Sequence, residues 1–403
     1  MQQSFNIKQF FRRAPKAWLR RHFEANGCVA TFDWSSVKPS NVQTVVDAWD
    51  GLNEDVQARM VDELTQIASL ATPTGKLQIV DEAAFHGKQL EVSAELEKLS
   101  GFYECAYWTF FERPDCWRGA VRFAQSDGKA RRSWRKRANI PHLGRPPNEA
   151  DASALETAIV GLFRFKEARG QHCVVERYRR NNKEYYFAYP QDHKQTSLEY
   201  AAGRMTNRPH RPAFEIMFIH DDGQRTLSIW HEGRKDRIED LQVAFARAVL
   251  GRNIPTESPR DDRVYDLDLL LDPSFVFQPR AELGIVRAEV RQMDVRVGGT
   301  HPYKVTVELG TATPGHVLYE PLRAFLDGVP PSMRRVARAR IEVEFERNAD
   351  GDRPKPRSFD VRTPNSCNLA DDTYGALIQR MLEDHGIEPR RPVCETKDGN
   401  LAV

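Results

Sequence analysis

The spacing of apolar residues changes near Gly170, and this change constrains the possible folds more than any other feature of the sequence. Before Gly170, apolar residues such as Met60, Leu64 and Ile67 recur at intervals of three or four, which is the period of an amphipathic helix. After it, short runs such as residues 303–309 alternate between apolar and polar residues, as strands do. The sequence therefore predicts an α+β protein, in which a helical N-terminal domain precedes one or two hairpin-rich β/α domains built from strand-strand-helix units.

Turn-forming segments divide the chain into four predicted regions. A length of 403 residues is too great for one ordinary hydrophobic core, so more than one domain is expected. The polar stretch from Asn253 to Asp262 contains two prolines and is the predicted linker. The predicted regions are a helical, basic domain at 1–168, a β-hairpin plus helix domain at 169–252, a mixed ββαββα domain at 263–390 and a flexible tail at 391–403.

The middle region contains two predicted hairpins. Asn181 and Asn182 tolerate positive φ and suit a tight turn. A turn at Asp222–Gly223 makes the second hairpin self-consistent, because it brings apolar residues onto one face. That register opposes Phe214 with His231, Ile216 with Ile229, and Phe218 with Leu227.

Composition limits the class of protein. No apolar run approaches the roughly 20 residues that span a bilayer. The N-terminal residues lack the uninterrupted apolar stretch of a signal peptide. We therefore expect a cytoplasmic protein without a transmembrane segment. The six cysteines are scattered and form no CxxC pair or zinc-ligand spacing, so they are expected to be free, mostly buried thiols, and no cofactor or metal is predicted.

Positive charge is concentrated in two segments, although the formal net charge of the chain is only +2. One runs from Lys8 to Arg21 and contains no acid. The other runs from Arg113 to Arg145, where tryptophans lie among basic residues and a proline can begin a short basic helix. Guanidinium groups neutralise phosphates, and indole rings offer stacking surfaces for unpaired bases. The predicted nucleic-acid-binding residues are Arg118, Arg122, Arg131, Arg132, Trp134, Arg135, Lys136 and Arg137.

A structural interpretation of the same basic segment competes with this one. Its aromatic residues would pack into a core, and its arginines would pair with acids elsewhere in the chain. The two interpretations differ at Trp134, which is exposed beside the arginines if it stacks on bases and buried if it belongs to a core.

No catalytic motif stands out. The sequence contains no glycine-rich phosphate loop, no GxSxG elbow and no HExxH pair. Cys367 lies in a turn-forming segment and would need a neighbouring base to act as a nucleophile. The carboxylates of the 172–232 region permit a metal-dependent nuclease or other hydrolase. These carboxylates are Glu176, Glu184, Asp192, Glu215, Asp221 and Asp222.

The leading hypothesis is a non-catalytic binding or sensing subunit that recognises an anionic partner, with nucleic acid as the preferred partner. The metal-dependent nuclease or hydrolase is the first alternative. The second is an interaction scaffold for another protein or a membrane surface, which would use the aromatic and basic stretch from Phe10 to Phe23.

The C-terminal part of the chain resembles other proteins. The pattern FDVRTPNSCNL at Phe359–Leu369, followed by Ile378–Leu382 and His385–Ile387, is similar to the ends of uncharacterised proteobacterial proteins, some of which are encoded near anti-phage defence genes. The resemblance covers residues 359–387 and carries no catalytic residue. It implies a role in bacterial antiviral defence.

Overall fold

The structure is a computed structural model. It describes residues 5–28, 32–129, 134–180, 182–201, 203–231, 235–256, 264–310, 313–346, 356–370 and 372–388. The predicted tail at 391–403 and residues 257–262 of the predicted linker lie outside these residues.

The α+β class is confirmed, and the helices are concentrated at the N-terminus. The α-helices are α1 (Ile7–Arg13), α2 (Lys16–Ala25), α3 (Gln43–Asp50), α4 (Glu54–Leu70), α5 (Pro73–Phe85), α6 (Gln89–Glu97), α7 (Phe102–Glu112), α8 (Pro114–Lys129), α9 (Glu149–Glu167), α10 (Lys235–Ala248), α11 (Tyr319–Phe325) and α12 (Thr373–Asp384). The strands are β1 (Trp134–Arg137), β2 (Val175–Arg180), β3 (Lys183–Ala188), β4 (Gln195–Ala201), β5 (Arg204–His210), β6 (Ile216–Asp221), β7 (Thr226–His231), β8 (Ile285–Val297), β9 (Tyr303–Glu308), β10 (Arg334–Phe345), β11 (Arg357–Arg362) and β12 (Ser366–Cys367). None of the helices in the described part of the chain has both the length and the apolar character needed to cross a membrane.

The chain divides into two units, whose boundaries differ from the predicted ones. The first unit comprises residues 1–129 with 179–181, and the second comprises 130–178 with 182–403. The helical region thus ends about one helix earlier than the predicted boundary at residue 168. The two predicted β/α domains belong to one unit, and strands from both of them take part in one ten-stranded sheet.

Ten antiparallel strands form the sheet of the second unit, in the order β2-β3-β6-β7-β1-β12-β11-β10-β8-β9. Helices α9 and α10 pack on one face of the β3-β6-β7 half, where Phe218 and Ile229 contribute to their shared core. In the other half, residues such as Ile341 and Val361 form a core with α11 and α12. The register places the core of α11 and α12 on the face of the sheet opposite to the core of α9 and α10. Cys367 belongs to it and pairs with Trp134, while Arg135, the next residue of β1, pairs with Ile229 of the first core.

Residues 134–137 form a strand, so the prediction that residues 1–168 are helical is wrong at this point. Arg135 pairs with Ile229 of β7 and with Ser366 of β12, and β1 therefore lies between the two halves of the sheet. Helical propensity cannot compete with backbone hydrogen bonds to a strand on each side, because tertiary pairing decides the conformation of short segments.

The second predicted hairpin forms with its register shifted by two residues. Ile216 pairs with His231 and Phe218 with Ile229, so four residues rather than two lie between the paired Asp221 and Thr226. Arg225 takes a positive φ of 52° in this longer turn. A shift of two residues leaves every side chain on its predicted face, since side chains alternate with a period of two.

The first unit is held together by an apolar core that its helices share. Helix α4 agrees with the predicted period: Met60, Leu64 and Ile67 are buried on one side. The side chain of Asn53 begins this helix by accepting a hydrogen bond from the amide of Asp55 at 2.8 Å.

Glu82 of α5 is a carboxyl group inside this unit. It is buried against Gly119 of α8, where a Cβ atom would lie 2.0 Å from its Oε1 atom. Nε2 of His86 lies 3.2 Å from the same oxygen, and Oε2 makes no hydrogen bond within the described residues. Burial raises the pKa of Glu82 to about 8.

Glu82→Gln should remove a pH dependence of stability. The folded protein holds the Glu82 proton more tightly than the unfolded chain does, so the free energy of unfolding falls as pH rises from about 4.5 to about 8. The variant keeps the shape without the charge and should exceed wild type by roughly 3–5 kcal/mol at pH 8 and match it at pH 4.5. Urea denaturation across this pH range, with the exposed Glu97→Gln as control, measures the effect. Parallel pH profiles for wild type and Glu82→Gln would contradict a neutral buried carboxyl group.

Candidate anion-binding site

Strand pairing brings three arginines from distant parts of the chain into one row. Arg135 pairs with Ser366, Ser366 pairs with Arg362, and Arg362 pairs with Arg338. Residues directly opposite each other in antiparallel strands share a face, so the row crosses β1, β12, β11 and β10 on one side of the sheet. Arg340 and Asp360 form the neighbouring row. We call this surface the arginine face: Arg135, Arg338, Arg340, Asp360, Arg362 and Ser366.

The alternation of each strand explains why this surface is polar. Val361 and Cys367 point toward the core that includes α12, so Asp360, Arg362 and Ser366 point the other way. The core of α9 and α10 lies on the same side of the sheet as Arg135. Its sheet residues come from β2, β3, β6 and β7, and none comes from β10, β11 or β12. On this side of the sheet, the arginine face therefore occupies β1, β12, β11 and β10, next to the strands that carry the core.

One carboxylate serves three of the four arginines. Asp360 accepts hydrogen bonds from Arg338 at 2.9 and 2.8 Å, from Nε of Arg340 at 3.2 Å, and from Arg362 at 3.4 Å. Glu308 also accepts a hydrogen bond from Arg340, at 3.1 Å.

Positive charge therefore exceeds negative charge on the arginine face. Arg135 forms no ion pair with any described residue, and burial together with the like charge of Arg362 lowers the pKa of its guanidinium. The four guanidinium groups share Asp360 and Glu308, and the row continues to Asp294 of β8, which lies opposite Arg338 and pairs with Lys304 at 3.3 Å. Five cations and three carboxylates leave an excess of two positive charges (5 − 3). Such an excess in a partly desolvated place favours an anion from solution.

Several donors on this surface are buried without a hydrogen-bond acceptor. They are Nε of Arg338, Nε of Arg362 and the hydroxyl of Ser366, none of which makes a hydrogen bond within the described residues. Ser366 is fully buried at the centre of the row. A buried donor without a partner costs about 1–3 kcal/mol, which is an unusual penalty for a polar row in the middle of a sheet.

Trp134 and Lys136 lie on the other side of β1. Trp134 is only 6% exposed and, with Lys136, lines a cavity of about 60 Å³ beside α12. Lys136 forms an ion pair there with Glu388. Burial raises the pKa of Cys367, which lines the same cavity, to about 12, so its thiol stays protonated and is a poor nucleophile.

The predicted nucleic-acid-binding residues are therefore divided. Arg118 is exposed and Arg122 half-buried on α8 of the first unit, whereas Arg131 and Arg132 lie outside the described residues. Arg137 is buried and donates to Gln242 at 3.2 Å. Arg135 is the predicted residue that the structure brings together with other arginines of the sheet, and Trp134 has the burial expected of a core residue.

Sequence reasoning missed Arg338, Arg340, Asp360, Arg362 and Ser366. Arginine does alternate with apolar residues in β10, which indicates a strand with one charged face. The pairing of β12 with β1 joins residues more than 200 positions apart, and together with the pairing of β11 with β10 it brings Arg135 into one row with Arg338. No periodicity in the sequence reports such pairing.

Most of the acids considered for a nuclease take part in other interactions. Glu184 pairs with Arg177 at 2.9 Å, and Asp192 pairs with Arg169 at 2.7 Å. Asp222 accepts a hydrogen bond from the amide of Leu143 at 2.8 Å. Within the described residues, no group of three or more His, Cys, Asp or Glu side chains is arranged to hold a metal ion.

Comparison with known proteins does not assign a family. No protein-family model matches the chain, and no curated protein matches its sequence. The arginine face is therefore the feature from which a function can be inferred.

Trp134→Ala should destabilise the second unit by about 3–5 kcal/mol, because it removes a buried indole and leaves a larger cavity between the sheet and α12. Urea denaturation measures the loss. Trp134→Phe, which keeps a ring in the same place, should lose less. A loss below about 1 kcal/mol for the alanine variant would contradict a packing role.

Proposed function

We propose that this protein binds a phosphate-bearing polyanion at the arginine face, without catalysis, and that nucleic acid is its partner. The observation that supports the proposal is the excess of guanidinium groups over carboxylates on adjacent strands, with Arg135 and Arg362 on either side of Ser366 and no carboxylate of the described residues paired to Arg135. Guanidinium groups bind phosphate well, since two parallel N–H donors match two phosphate oxygens.

The length of the row favours a polymer over a small anion. Neighbouring strands lie about 4.8 Å apart, so the three strand steps from Arg135 to Arg338 span roughly 14 Å. A single phosphate ion reaches only part of that distance. Successive phosphates of a nucleic-acid backbone can occupy it together, and each contact releases counterions.

Antiviral defence is the biological setting that the C-terminal resemblance implies. The segment that carries the resemblance includes Asp360, Arg362 and Ser366 of the arginine face. The defence role stays a prediction, because it depends on the resemblance alone.

Arg362→Gln should weaken nucleic-acid binding. Its side chain is 43% exposed and makes one long ion pair, at 3.4 Å, so the substitution should leave stability nearly unchanged. The loss of a charge-assisted phosphate contact should reduce affinity by about 1.5–3 kcal/mol and lower the slope of log K against log salt by about 1. Fluorescence anisotropy with a labelled DNA duplex across a salt series measures both quantities.

Arg380→Gln is the matched control, because Arg380 is exposed on α12 of the same unit and forms no ion pair with the described residues. It should bind as wild type does. Equal affinities and equal salt slopes for wild type, Arg362→Gln and Arg380→Gln would contradict the proposal. So would wild-type binding that does not respond to salt.

A further inference from the structure

The β4–β5 ribbon is a two-stranded sheet separate from the ten-stranded one. Its register runs from Gln195 opposite His210 to Ala201 opposite Arg204, and every residue of β5 is exposed. The base of the ribbon is fixed by the bridge between Gln191 and Ala213. An isolated two-stranded ribbon buries little apolar surface and is marginally stable by itself.

The two faces of the ribbon differ in their hydrogen bonding. On one face Glu199 accepts from Ser197 at 2.7 Å and from Arg208 at 3.3 Å, so its polar groups are partly satisfied by each other. The other face presents Leu198, Tyr200 and Met205, which are 69%, 80% and 63% exposed. Tyr200 lies directly opposite Met205, so these side chains make one continuous apolar surface in water.

Charge decides which partner this surface fits. Residues 194–211 contain four cations and one acid, a net charge of +3 (4 − 1). Lys194, Arg204 and Arg211 form no ion pair with described residues, and the single acid, Glu199, is already paired with Arg208. An apolar face with cationic flanks is complementary to a polyanion that also offers apolar surface, as base edges and base stacks do.

A second copy of the ribbon fits less well. Seven residues extend about 23 Å, and two strands with their side chains are about 10 Å wide, so the face covers roughly 230 Å² against about 800 Å² per partner in a stable protein interface. Two ribbons would also bring like charges together.

We propose that the β4–β5 ribbon enters the major groove of a DNA duplex. This inference rests on the proposed function, since the same duplex would contact the arginine face. The major groove of B-form DNA is about 12 Å wide and admits a two-stranded ribbon, whereas that of A-form RNA is too narrow for side chains to read. In the groove, Leu198, Tyr200 and Met205 contact thymine methyl groups, and Arg204 reaches phosphates.

The test measures binding of the full-length protein to a labelled DNA duplex, its separated single strand and an RNA duplex of the same sequence. The test variant combines Leu198→Ser, Tyr200→Ser and Met205→Ser, which are all exposed, so folding should be unchanged in circular dichroism and thermal melts. Phe325→Ser, which changes an exposed aromatic residue on α11, is the control.

Wild type should bind the DNA duplex at least tenfold more tightly than the RNA duplex. The triple variant should lose at least tenfold in DNA-duplex affinity, and Phe325→Ser should lose none. A triple variant that binds the duplex as wild type does overturns the ribbon proposal, and the arginine-face proposal stands if Arg362→Gln is still weakened. If wild type binds none of the three nucleic acids, both the ribbon proposal and the arginine-face proposal are wrong.

Two further measurements distinguish other occupants of the ribbon. Co-sedimentation with phosphatidylserine vesicles detects a membrane partner, and analytical ultracentrifugation detects a second copy of the chain. Loss of vesicle binding or of a dimer in the triple variant, with unchanged DNA affinity, overturns the ribbon proposal in favour of that occupant.

Discussion

The pairing of strand β1 with β7 on one side and β12 on the other is the interaction on which the second unit depends. Four residues join the hairpins of the middle region to those of the C-terminal region in one ten-stranded sheet. The alternation of the same strand directs Arg135 to the arginine face and Trp134 to the opposite side. One short strand therefore connects the architecture, the packed side chain and the candidate site.

The arginine face carries a cost in stability that packing elsewhere must offset. Like charges on neighbouring strands repel each other, and buried donors without acceptors are unfavourable. Asp360 reduces this cost by accepting hydrogen bonds from three arginines, but it cannot neutralise four. Local violations of the rules of stability are expected at functional sites, because a binding surface has to stay incomplete until its partner arrives.

The sequence allowed prediction of those features that depend on local spacing. The helix period at Met60, Leu64 and Ile67 is reproduced, and the alternation around Ile216 and Phe218 assigned the correct faces even though the register was shifted by two residues. The strand at Trp134–Arg137 and the row from Arg135 to Arg338 depend on pairing between distant segments. Linear clustering of charge pointed to Arg118–Arg137, because sequence proximity was the available measure of spatial proximity. In the sheet, Trp134 and Lys136 lie on one side of β1 and Arg135 lies on the other. Strand pairing joins Arg135 to arginines that follow it in the sequence by more than 200 positions.

Arginine footprinting tests the central claim most directly. The full-length protein is treated with a dicarbonyl reagent that modifies guanidinium groups, with and without a saturating DNA duplex, and modified residues are identified by mass spectrometry. Arg340 and Arg362, whose side chains are 35% and 43% exposed, should be modified in the free protein and protected in the complex. Arg118, which is exposed on α8, should be modified equally in both. Protection of Arg118 and Arg122 with unchanged modification of Arg340 and Arg362 would contradict the account and assign binding to the basic segment of the first unit.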